Sequence, residues 1–360
     1  MVDITGIDGL LCNKKVIVMV GAGGVGKTTT SALLAIRAAM SGRRVALLSI
    51  DPAKRLANAL GLGLGHEMSA VALQNPAPGG SLHAAMLDQK EVFDRMVLKH
   101  APSEKIAARI MRDPLYRAAS TNLSGPLEYM ALARLQELTQ DQNFDLVVLD
   151  TPPDTHALDF LKRPNVLAGF MENRVMSWLI KPVLAMSRLG LGRIIGASEK
   201  LAGGVASLTG FSALRSFGEF LLLMQEVIDG FHRMGEQVVA TLQDKKTAFI
   251  LVAVPSRAAE RSALFLADQL SEMDYRVDGL VINRCLPAVP AAELTRVMDS
   301  LPAETIKLVE ARRAGEDSVI GNLLKNLVSS KKKPRIVIRI DDQGADFHDM
   351  QGLTKLAQSF

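Results

Sequence analysis

The sequence predicts an α/β fold with a mostly parallel, doubly wound sheet, interrupted by a helical insertion. Three observations predict it. Short apolar runs rich in β-branched residues recur along the 360 residues with helical patterns between them, a glycine-rich loop ending in Gly-Lys-Thr follows the first run, and two later runs end in aspartate.

The first run, Val16 to Val20, leads directly into Gly21-Ala22-Gly23-Gly24-Val25-Gly26-Lys27-Thr28, a G-x-x-x-x-G-K-T loop. Its glycines let the main chain turn successive N–H groups toward an anion and leave no Cβ in the way. Thr28 to Met40 reads as a helix whose N-terminal dipole faces the same point. The order strand, loop, helix is that of a P-loop NTPase. Gly21, Gly23, Gly24, Val25, Gly26, Lys27, Thr28 and Thr29 are therefore expected to hold ATP, with Lys27 on the β/γ-phosphates and the Thr28 hydroxyl on Mg²⁺.

Val45 to Ile50, the second run, ends in Asp51, which at a strand's carboxyl end would orient an attacking water. Leu82 to Leu87 adds a strand. Leu146 to Leu149 ends in Asp150, placed as a Walker B acid that holds Mg²⁺ through water. Ala248 to Val254 follows, then Leu280 to Ile282, which delivers Asn283, an amide able to pair with a donor and an acceptor on adenine. Arg335 to Ile340 alternates as a half-exposed edge would. Singly, each aspartate reads equally well as a helix N-cap, and Asn283 as a turn residue. Their joint occurrence with the loop favours phosphoryl chemistry.

The strands are unevenly spaced. The interval from Asp150 to Ala248 far exceeds a crossover helix, and Asp88 to Asn143 carries apolar recurrences at three and four over Lys90 to Met111 and Leu127 to Leu138. The expected division of a single domain, 1–360, is a nucleotide-binding core of about 10–88, 143–164 and 245–360, with a helical subdomain of about 89–142 and 165–244. Within the insertion, Asn165 to Ser216 sets Arg174, Lys181, Arg188, Arg193, Lys200 and Arg215 against Glu172 and Glu199 alone. The apolar residues between them, including Met176, Trp178, Leu179 and Met186, suit a groove for a hydrophobic helical client and equally suit ordinary helical core.

A composition of 48% hydrophobic and 22% charged residues is globular, and a net charge of +4 with both signs mixed does not imply a nucleic-acid partner. Met1 to Asn13 carries Asp3 and Asp8 and no basic lead into an apolar segment, so the expected location is cytoplasmic. Leu201 to Leu214, 14 uncharged residues, is too short to span a bilayer, and membrane contact is expected to be peripheral at most. Cys12 and Cys285 stand far apart and form no C-x-x-C site.

The loop, Asp51-Pro52-Ala53 and Asp150-Thr151-Pro152-Pro153-Asp154-Thr155-His156 resemble the deviant P-loop, switch I and switch II of the ATPases that include the arsenite-pump ATPase (ArsA) and the tail-anchored-protein targeting ATPase of the guided-entry pathway. Asn283-Arg284 sits where that family contacts adenine, and Gln351 to Leu356 is similar to its closing helix. The resemblance implies an ArsA-like and Get3-like Mg²⁺-dependent ATPase that dimerises around nucleotide and moves a helical apolar surface, for handling a membrane protein or other hydrophobic client. It also exposes a departure: the family's first loop lysine, which reaches the partner's nucleotide, is here Ala22. Lys54 or Arg55 could replace that charge, or a lysine-bearing paralogue could complete a heterodimer in which this chain is a regulatory subunit. An anion- or metalloid-pump subunit is a further alternative, although two distant cysteines do not supply the clustered thiols that soft metalloids require. A membrane-organising ATPase of the division-site kind should carry a C-terminal amphipathic helix, and Asp346 to Phe360 is only weakly so.

Overall fold

The computed structural model describes residues 4–51, 55–122, 127–152, 209–287, 302–329, 334–344 and 350–358. Chain contacts divide it into two compact units, one of Met1–Leu87, Arg134–Lys162 and Ala240–Phe360, the other of Asp88–Ala133 and Arg163–Val239.

The first unit is built on one sheet of eight strands: β1 (Val16–Gly21), β2 (Arg44–Ser49), β3 (Ser69–Val71), β4 (Ser81–Met86), β5 (Leu146–Asp150), β6 (Thr247–Ala253), β7 (Val277–Cys285) and β8 (Ile336–Asp341). Their order is β3-β4-β2-β5-β1-β6-β7-β8, and every pairing is parallel except β3 with β4. Strands β1, β5 and β6 are buried at every residue, as a sheet covered on both faces requires. Strand β8 instead buries Ile336, Ile338 and Ile340 alternately, which is the edge pattern its sequence shows. Strand β3, three residues long, left no periodicity to read. Strand β7 starts earlier than its apolar core because Asp278 and Gly279 interrupt the hydrophobic run without interrupting the ladder.

Register decides where the chemistry lies. Asp150 pairs across to Met19 on one side and Ser49 on the other, so β1, β2 and β5 end together at the carboxyl edge where open α/β sheets bind ligands. Helix α1 (Ile4–Asn13) and helix α2 (Lys27–Met40) cover one face, and α2 buries Leu33, Leu34 and Ile36 in the core, each contributing about 2 kcal/mol. A short α3 (Arg55–Leu60) follows the Asp51 turn.

In the second unit, the recurrences over Lys90 to Met111 resolve into two helices, α4 (Gln89–His100) and α5 (Glu104–Arg112). Pro102 disfavours helical backbone at Ala101, which is extended, and Ser103 restarts the chain as an N-cap accepting from Ile106 N. Helix α6 (Pro114–Asn122) buries Tyr116, whose hydroxyl donates to Asp94 Oδ1 at 2.6 Å. The chain continues through α7 (Leu127–Gln140) and the long α8 (Thr209–Gln243). At Gly230 of α8 an added Cβ would lie 2.3 Å from the His100 ring, so this glycine sets how closely α8 meets the end of α4.

Three helices complete the first unit: α9 (Arg257–Glu272), α10 (Ala303–Ser329) and α11 (Met350–Gln358). Helix α11 packs on α2 through buried Leu353 and Ala357. Arg37, in the last turn of α2, donates to both Asp8 oxygens at 2.7 and 2.9 Å and to the Ala357 carbonyl at 2.9 Å, tying α1, α2 and α11 at one guanidinium. Among the described residues no helix is long and apolar enough to cross a membrane. The basic, methionine-containing stretch with Trp178, Leu179 and Met186 lies outside the described residues.

Candidate nucleotide site

Two glycines of the loop after β1, Gly21 and Gly26, stand where no side chain fits. A Cβ on Gly21 would meet the Val252 carbonyl of β6 at 2.5 Å, and Gly26, the N-cap of α2 at φ +89°, would drive one to 2.1 Å from Asn283 Nδ2. Lys27 opens α2 and is 6% exposed. Its ammonium donates to the carbonyls of Gly21 at 2.7 Å and Ala22 at 3.0 Å, folding back over the loop it belongs to. Burial pulls its pKa down to about 8, against the attraction of Asp150 and Asp51.

Behind the loop, Asp150 is fully buried and surrounded by hydroxyls. Ser49 Oγ donates to its Oδ2 at 2.9 Å, Ser31 Oγ lies 3.3 Å from its Oδ1, and the Thr28 side chain hydrogen-bonds it as well. Burial raises this carboxyl to about 6, and the Thr28 and Ser49 hydroxyls and Lys27 hold it from rising further. Asp51, 5% exposed, is joined to the same network because its backbone N donates to Ser49 Oγ at 3.3 Å. Arg55 Nη1 reaches Asp51 Oδ2 at 3.1 Å. Lys27, Thr28, Asp51, Asp150 and Arg55 are thus brought together, whereas Lys54 lies outside the described residues.

The donor set fits Mg²⁺, which prefers hard oxygens and keeps several ligands from water and phosphate. Thr28 and Asp150 supply a hydroxyl and a carboxylate on one side. Among the described residues no cluster of three or more His, Cys, Asp or Glu could hold a metal alone.

Outward from the loop, a cleft of about 610 Å³ is lined by Gly26, Thr29, Arg55, Asn283, Arg284 and Asp341 among others. Asn283 Nδ2 donates to the Val25 carbonyl at 3.0 Å, bracing the loop from β7. Arg284 follows with φ +58° at a register shift between Ile282 and Cys285, where β7 bulges against β8. A bulge re-aims a side chain, and this one brings Arg284 to the cleft. Sequence reasoning missed Ser31 and Ser49. Ser31 lies one turn after Lys27 on its helix, and Ser49 two residues before Asp51, which were the only signals available.

A family model for anion-transporting ATPases matches residues 14–312. Among curated relatives, the chain is 27% identical to the ATPase GET3 of Malassezia globosa over 276 residues, 76% of this chain and 73% of that one. It is 24% identical to an ATPase ASNA1 homolog of Entamoeba dispar over 298 residues, 81% of this chain and 82% of that one. Over 148 residues, 41% of this chain and 43% of the relative, identity with the ATPase get3 of Schizosaccharomyces japonicus reaches 34%.

Proposed function

The chain belongs to the anion-transporting ATPase family and is an ATPase, and from that premise we propose how its residues hold and hydrolyse ATP and what the reaction drives. The observation that carries the reading is the Lys27 ammonium resting on the Gly21 and Ala22 carbonyls beside the hydroxyl-lined Asp150. A phosphate offers that cation a better partner than two carbonyls. Loop amides from Gly23 to Thr29 surround the phosphates and Lys27 transfers to the β/γ-oxygens. The Thr28 hydroxyl and Asp150 would hold Mg²⁺, which when bound would offset the negative charge of the phosphates. Asp51 accepts a hydrogen bond from the attacking water and orients it in line. Asn283 and Arg284 face the base in the cleft.

Arg55, already paired to Asp51, is the described cation best placed to supply the charge that Ala22 does not, with Lys54 beside it in sequence. Two copies, or one copy and a lysine-bearing paralogue, close around nucleotide in this reading. Closure moves the helical unit, whose apolar stretch takes a hydrophobic helical client or membrane protein, in the cytoplasm and without nucleic acid. Its helical portion is taken as 88–133 with 163–239. A membrane-organising role fits less well, because Leu353 and Ala357 of α11 are buried where the helix packs on α2. A metalloid pump subunit also fits less well, since Cys285 is buried while Cys12 is exposed.

Hydrolysis and nucleotide affinity of the isolated chain test the scheme. Lys27→Ala should abolish ATP binding or turnover, whereas Asp51→Asn should keep binding and lose most single-turnover hydrolysis. Removing Lys54 and Arg55 together should lower turnover roughly a thousand-fold or more with little effect on affinity. The regulatory-subunit reading, favoured by Ala22, prevails if the isolated chain binds ATP, hardly hydrolyses it, and a paralogue with Lys at the position of Ala22 restores activity.

A further inference from the structure

Beside the nucleotide cleft, the end of β6, the start of α9, the bulge of β7 and α10 border a second, open hollow of about 390 Å³. Three guanidinium groups line it, those of Arg257, Arg284 and Arg312, against one carboxylate. That carboxylate, Glu316, is 6% exposed and its Oε2 accepts from Leu286 N at 2.9 Å, so it is already engaged by the backbone. Arg257 and Arg312 are exposed, and among the described residues neither forms an ion pair or hydrogen bond. Arg257 also sits in the first turn of α9, where the helix dipole adds positive potential. Clustered guanidinium groups repel one another, and an oxyanion that bridges them relieves the repulsion through paired N–H donors. The rest of the lining includes apolar Val254, Pro255 and Val319, and the volume is that of a small-molecule pocket.

We infer that this hollow binds a small organic oxyanion, a phosphate or carboxylate gripped by Arg257 and Arg312, with a short apolar body against Val254, Pro255 and Val319. Arg284 belongs to both walls, lining this hollow and the nucleotide cleft alike. Its left-handed backbone at the bulge places it there. The two ligands therefore draw on one cation, and each weakens the other by the same factor. This coupling rests on the nucleotide reading, whereas the site itself does not.

Phenyl phosphate titrated calorimetrically into the full chain is the test. One saturable equivalent should bind, a few-fold more weakly when a non-hydrolysable ATP analogue and Mg²⁺ are already present. Binding should persist in Lys27→Ala, which disables the phosphate loop, and weaken about tenfold or more in Arg257→Gln/Arg312→Gln. Both arginines are exposed, so the double variant should fold, as thermal unfolding will register. Absence of saturable binding to the parent chain overturns the site, as does binding that is lost in Lys27→Ala and kept in the double variant. Failure of the ATP analogue to bind the parent would count against the nucleotide reading alone and leave the phenyl phosphate result standing.

Discussion

Ser49 is a residue whose importance lies wholly in what it joins. One buried hydroxyl donates to Asp150 and accepts from the Asp51 backbone, so the acid proposed to stand behind the metal and the acid proposed to orient water share a single atom. Ser49→Ala would leave Asp150 fully buried with one hydroxyl fewer, and hydroxyls that fix such carboxylates are worth about 10- to 100-fold in activity or metal affinity. The expected result is a fall in turnover of that order, with a raised Mg²⁺ requirement and little change in ATP affinity measured without metal. An unchanged Mg²⁺ requirement would reduce Ser49 to packing. Cys285 behaves oppositely to a working residue: burial pushes its thiol up to about 11 and keeps it protonated. A thiol reagent near neutral pH should therefore label one cysteine of the native chain, Cys12, and two after denaturation.

Among the elements, α4 and α8 meet where Gly230 leaves room for the His100 ring, and the energetics there have opposing signs. Alanine is the better helix former by about 1 kcal/mol, but its methyl would sit inside the ring's space, and overpacking costs roughly 1–3 kcal/mol. Gly230→Ala should destabilise the parent and stabilise a His100→Ala background, a reversal that a double-mutant cycle by chemical denaturation will reveal. The starts of β2 and β5 are joined differently, by the Arg44–Asp145 pair at 2.6 Å. Hydrogen bonding to Arg44 holds the Asp145 carboxyl down at about 2, so the folded value lies below the unfolded one. The pair's contribution is then complete above the ordinary carboxylate range and is lost as pH falls toward 2. Both side chains are more than a third exposed, so water and salt screen the pair heavily. Asp145→Asn should show a small deficit in melting temperature at pH 7 that closes on acidification and narrows in high salt.

At the scale of the molecule, what the sequence made legible was whatever is local in the chain. The strand, loop and helix from Val16 to Met40, with Asp51 and Asp150 at strand ends, could be read directly because each signal occupies consecutive residues. The hydroxyl network could not, since Ser49 meets Asp150 only through the pairing of β2 with β5. The break at Pro102 was visible as a residue but masked by apolar recurrences that continue in phase across it. The hollow of arginines was beyond reach, because its members come from α9, β7 and α10. The Arg37 clasp is another such long-range product, and it makes α2 a lever with two loaded ends. Its first turn carries the phosphate loop and its last turn holds the flanking helices α1 and α11 through one side chain. Asp8 and the Ala357 carbonyl are therefore near neighbours, and a circular permutant that splices α11 to α1 through a short linker should keep the fold. Strain placed on that splice would be delivered along α2 to Lys27, so shortening the linker should register as a change in ATP affinity at a site the splice never touches.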